Sequence, residues 1–153
     1  MSKRTTIYLH IGLPKTGTTS FQEFCGQNKE YLSRHKILYY EPMYRKVNGH
    51  EVGEIYVREP VFTRNDIDER KKTVPKHLAE FMYQTGKEES SGLISAESIS
   101  WFRTSKECIN LKQAFGDNAH FVIILCLRDV DEWWVSYKKP DCKRGNEFRP
   151  RVV

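Results

Sequence analysis

Ile7-Tyr8-Leu9-His10-Ile11-Gly12-Leu13-Pro14-Lys15-Thr16-Gly17-Thr18-Thr19-Ser20 is the stretch on which the fold turns. Its first six residues are a short, β-rich apolar run closed by glycine, the pattern of a buried strand. A turn from Leu13 to Gly17 follows. From Thr18 to about Arg34, apolar residues recur at helical spacing (Phe21, Phe24, Tyr31, Leu32). A strand that turns straight into a helix aims unpaired backbone N–H groups and the positive end of the helix dipole into the turn, which makes an anion cradle. Gly17 permits close backbone approach to a phosphate, Thr18 and Thr19 offer hydroxyls, and Lys15 brings a mobile cation. A simple N-capped helix also favours Ser and Thr, but it does not call for lysine, glycine and paired threonines in one turn.

Outward from this stretch, Ile37–Tyr40 reads as a second short strand. Glu41–Asn65 has weak periodicity and mixed charge and reads as a long loop or lid. Asp66 to about Thr85 is a charged amphipathic helix, expected to be interrupted before Pro75. Gly92–Ala96 is a third strand, and Lys106–Phe115 a helix that stops at Gly116. His120–Leu127 contains the unbroken run Phe121-Val122-Ile123-Ile124-Leu125, which suits a central parallel strand covered on both faces. The alternation of strand and helix predicts an α/β fold: a three-layer, P-loop-like core with a mainly parallel sheet flanked by helices. Residues 1–137 are expected to form this domain, and residues 138–153, charged and aperiodic with two prolines, an irregular tail.

The chain has 153 residues, the size of one domain, and 39% are apolar and 12% aromatic, a composition that folds rather than one that stays disordered. A net charge of +5 favours an anionic ligand over a neutral one. The basic residues are scattered among acids instead of gathered in a stripe, so no nucleic-acid partner is expected. The four cysteines form no CxxC pair and no zinc spacing. Met1 to Thr5 is polar, and no apolar run approaches the roughly 20 residues that span a bilayer, so no membrane segment is expected and the default location is cytoplasmic.

The turn also separates two kinds of phosphate loop. Nucleotide kinases and ATPases use G-x-x-x-x-G-K-[ST], with lysine directly after the second glycine. Gly12 and Gly17 have that separation, but position 18 is threonine and the lysine stands two residues ahead of Gly17. This shifted form, Pro14-Lys15-Thr16-Gly17-Thr18-Thr19-Ser20, resembles the 5′-phosphosulfate loop of the PAPS-dependent sulfotransferases. The resemblance implies that Lys15 lies at the bridging oxygen and 5′-phosphate of PAPS, and that Thr16, Gly17, Thr18, Thr19 and Ser20 cradle that phosphate. It also implies an arginine at the end of a central strand and a serine eight residues later, holding the 3′-phosphate. Arg128 and Ser136 carry that spacing. An arginine fork suits bidentate phosphate recognition, although an arginine there also makes ordinary surface pairs, here with Asp131 or Glu132.

Transfer to a hydroxyl needs a base within hydrogen-bond reach of it. Glu97 ends the third strand and precedes Trp101 and Phe102, an arrangement similar to the catalytic glutamate of glycan-modifying sulfotransferases, with Ser98 where a lysine often stands. Glu97 also suits the acidic first turn of a helix. His10 is the rival base but reads as a packed strand residue, and Trp133 or Trp134 can stack on a base or contribute a ring to the core. The implied activity is sulfonate transfer from PAPS, leaving 3′,5′-ADP, to an acceptor hydroxyl on a glycan or small molecule, with no metal expected. Two alternatives stay open: a P-loop nucleotide or small-molecule kinase with Asp129 as magnesium partner, and a non-catalytic remnant that binds anions. Nothing after Tyr137 resembles the family's C-terminal part, which closes over the adenine, so the chain reads as a C-terminally truncated member.

Overall fold

Residues 4–45, 48–58 and 66–143 are described by the computed structural model of the chain, the last five as backbone alone. Strands and helices alternate as expected: β1 (Thr5–His10), α1 (Thr18–Gln27), α2 (Lys29–Arg34), β2 (Ile37–Tyr39), α3 (His50–Glu54), α4 (Ile67–Lys87), β3 (Ser91–Ser95), a 3-10 helix (Glu97–Trp101), α5 (Ser105–Phe115), β4 (Ala119–Ile124) and α6 (Val130–Lys143). The four strands pair in parallel in the order β2-β3-β1-β4. Ile7 stands opposite Gly92 and Phe121, and Leu9 opposite Ile94 and Ile123. Ile7, Leu9 and Ile94 join Val74, Leu78 and Phe81 of α4 and Leu111 and Phe115 of α5 in one buried cluster. Leu93 and Tyr39 join Cys25 of α1 and Leu32 of α2 in another. Helices thus cover both faces of the sheet, a three-layer α/β architecture.

Four expectations are corrected. β4 lies at the sheet edge, and beyond the buried Ala119 its residues are half-buried or exposed, with Ile123 53% exposed. The central strands are β1 and β3. An unbroken apolar run reports a strand that needs cover on both faces, not one that has it. Second, α4 runs through Pro75 without a break. The ring costs the helix roughly 3 kcal/mol, but burial of Val74, Leu78 and Phe81, at about 1.5–3 kcal/mol per side chain, outweighs it. Third, the stretch expected as loop or lid contains α3. Finally, α6 extends to Lys143, so residues 138–143 are helical, while 144–153 lie outside the described residues.

Helix α3 matters because it holds the end of β3. Gly49 N–H donates to Ser95 O (2.8 Å), and the Ser98 hydroxyl donates to His50 O (2.6 Å). Glu54 is fully buried and receives Arg70 (2.8 Å) and Arg45 (3.2 Å), which fixes α3 to α4. Glu51, also fully buried, receives the Met43 N–H at 2.9 Å, and desolvation pushes its carboxyl above the usual carboxylate range.

Candidate functional site

Past the last residue of β1 the pairing with β4 continues: Ile11 N–H donates to Ile124 O (3.0 Å) and Leu13 N–H to Cys126 O (3.3 Å). The loop then turns through three left-handed residues, Gly12 (φ 32°), Lys15 (φ 71°) and Gly17 (φ 86°). At Gly12 a Cβ would run into the Thr18 methyl, so only glycine lets the loop close on α1. Lys15 has no such licence, and holding an L-residue there costs roughly 1–2 kcal/mol. The Thr16 hydroxyl donates to Leu13 O (2.6 Å) and closes the turn, so it is committed to the loop itself. No side chain caps α1, and its first residues, Thr18 and Thr19, have no intrahelical acceptor for their N–H groups. Thr18 is buried beneath the loop, while Lys15, Gly17, Thr19 and Ser20 are exposed on it.

The turn from β4 into α6 is fastened to this loop. The Trp133 indole N–H donates to Pro14 O (2.7 Å), and Arg128 Nη1 donates to Lys15 O (3.4 Å). Arg128 and Ser136 line a common hollow of about 470 Å³ with Asp131, Glu132 and Val135. The arginine and serine paired by spacing therefore line one hollow, and the arginine reaches the backbone of Lys15. Arg128 Nε also donates to Glu132 Oε2 at 3.0 Å, the surface pair that the sequence allowed. Asp129 caps α6, its Oδ1 receiving Asp131 N–H at 3.0 Å. Trp133 stacks on Tyr137 with ring centroids 5.0 Å apart, and Trp134 is partly exposed.

Glu97 opens the 3-10 helix and is buried. Its Oε1 receives Gln22 Nε2 at 3.2 Å, and the same nitrogen donates to Ser95 Oγ at 3.1 Å. Ser95 Oγ lies 2.7 Å from His10 Nδ1, and His10 Nε2 lies 3.5 Å from Cys126 Sγ. Desolvation lowers the His10 pKa, which favours the neutral imidazole. Loop-bearing α1 is thereby linked to the candidate base through buried polar groups. Sequence reasoning took His10 as a packed strand residue, which it is, and passed over Gln22 and Ser95. The one hint in the sequence was a polar Gln22 at helical spacing from Thr18 and Cys25; the register of His10 with Ser95 appears only in the folded sheet.

Lys15, Glu97 and Arg128 all follow the C-terminal ends of strands, where ligands of open parallel sheets bind. Among the described residues no helix is long and apolar enough to cross a membrane. No protein-family model matches the chain, and no curated protein matches it. A solved structure described as that of the Pnkp1/Rnl/Hen1 complex superposes on 100% of this chain with a TM-score of 0.49 and 11% identity. This chain spans 43% of that one, and a likeness at this level carries no functional argument. The sulfotransferase resemblance therefore rests on the motifs.

Proposed function

We propose that this protein binds PAPS and transfers its sulfonate group to an acceptor hydroxyl on a carbohydrate. The observation that carries the reading is that Arg128, in one hollow with Ser136, donates to the carbonyl of Lys15, which links the two stretches read as anion subsites. In this reading the N–H groups that open α1 receive the 5′-phosphate. Lys15 stabilises negative charge on the departing phosphate oxygen, an electrostatic role. Arg128 and Ser136 receive the 3′-phosphate. Glu97 accepts the proton of the acceptor hydroxyl as the oxygen–sulfur bond forms and the bond from sulfur to the phosphate oxygen breaks. Trp101, partly exposed next to Glu97 on the 3-10 helix, offers a face for a sugar ring. A cytoplasmic setting belongs to the proposal, supported by Cys25, Cys108 and Cys126 being free thiols.

Calorimetric titration with 3′,5′-ADP, ADP and ATP, with and without magnesium, tests it. The expected result is magnesium-independent binding of 3′,5′-ADP, tighter than ADP. Lys15→Ala should weaken it by about ten- to a hundredfold, the worth of one charge-assisted hydrogen bond, with the thermal midpoint retained. Magnesium-dependent ATP binding would instead favour a kinase. Failure to bind any nucleotide would leave only an anion-binding remnant.

A further inference from the structure

We infer that Glu132 sets how strongly this site prefers a 3′-phosphate over a 3′-hydroxyl, by keeping a carboxylate at the Arg128 guanidinium where the phosphate must sit; the inference rests on the proposed role of Arg128. Arg128 Nε and Glu132 Oε2 are 3.0 Å apart, one helical turn from each other along the chain, while Arg128 Nη1 reaches Lys15 O at 3.4 Å. Both of these guanidinium nitrogens thus have protein acceptors. The hollow beside them contains Ser136, Val135 and two carboxylates, Asp131 and Glu132. A phosphate entering it has to displace Glu132 from Arg128 and then remain near both carboxylates. A hydroxyl meets no such opposition, because a carboxylate accepts its hydrogen bond.

The two effects differ in size. The pair is exposed, with 40% of the Arg128 and 65% of the Glu132 side chain accessible, so separating it costs little. Repulsion between a carboxylate and a phosphate dianion a few ångströms away is the larger effect, even where water and salt screen it. Glu132→Gln keeps the side-chain shape and removes the charge, leaving only a neutral amide oxygen to accept from the guanidinium.

The test is calorimetric titration of the wild type and Glu132→Gln with 3′,5′-ADP and with 5′-AMP. The ratio of the two affinities should shift toward 3′,5′-ADP by about three- to tenfold in Glu132→Gln, and less at high salt. Adding Arg128→Ala should remove only the share of the shift that runs through the guanidinium, while the larger, repulsive share persists and shrinks with salt. A wild type that prefers 3′,5′-ADP and a Glu132→Gln ratio that does not move would overturn this inference alone. If neither protein binds either nucleotide, the proposed function falls and this inference with it. Unchanged melting of Glu132→Gln excludes a folding effect, since the side chain is exposed.

Discussion

Gln22 offers a single amide nitrogen to two buried oxygens, Ser95 Oγ and Glu97 Oε1, and its own side chain is 1% exposed. Replacing it with leucine removes the donor and leaves the buried Glu97 Oε1 without this partner, while Ser95 Oγ keeps His10 Nδ1. An unsatisfied buried group costs about 1–3 kcal/mol, so Gln22→Leu should lower the urea midpoint accordingly. If Glu97 is the base, the same change should also cut turnover at least about tenfold, a fraction of what a positioned base contributes. The affinity for 3′,5′-ADP should stay within about twofold, because no donor contact is assigned to Gln22. The turn from Lys15 to Ser20 could be read because a strand–turn–helix is a local object, with every part in one stretch of chain. The Gln22 network could not, because its members come from β1, α1 and β3 and meet only when the sheet forms. Glu132 shows the same limit: its spacing from Arg128 was visible, but not that the pair lines the hollow with Ser136.

Among the elements, α5 carries the clearest pH dependence. Its N-cap Thr104 and Glu107 form a capping box, and Glu107 also receives the backbone N–H groups of Arg58 (2.9 Å) and Arg103 (2.8 Å). The Arg58 N–H is the leading cause that holds the Glu107 carboxyl down at about 2, against an ordinary 4.5. A carboxyl depressed in the folded state stabilises the fold above its unfolded value. That contribution is lost as pH falls from about 4.5 toward about 2. Urea titrations at about pH 5 and about pH 3 should show a smaller acid loss in Glu107→Gln than in the wild type, from a lower starting stability. Here too, half of the device was legible: Thr104-x-x-Glu107 is a capping signature, whereas its tie to Arg58 spans 49 positions. The misreading of β4 has a related cause. Phe121 to Leu125 specify a strand, but strand order depends on partners, which an apolar run does not name.

At the scale of the whole molecule, the β4 side is the least covered part of what is described. Ile123, Leu125, Leu127, Val130 and Val135 are all at least half exposed, and they follow one another along the edge strand and into α6. Among the described residues β4 is an apolar edge strand, the kind of edge that favours self-association. Sedimentation velocity should show concentration-dependent association of the wild type, and Ile123→Lys should shift it toward monomer. A wild type that is monomeric at every concentration would oppose this reading. The sheet order carries a different consequence, for synthesis. β1 precedes the other three described strands along the chain, yet both its neighbours, β3 and β4, lie beyond residue 90. At about 5–20 residues per second, the ribosome needs roughly 6–24 s to pass from β1 to the end of β4. Until β4 is made, Ile11 and Leu13 lack the carbonyls of Ile124 and Cys126 that receive their N–H groups, so the loop that carries Lys15 waits for a strand more than 100 residues downstream.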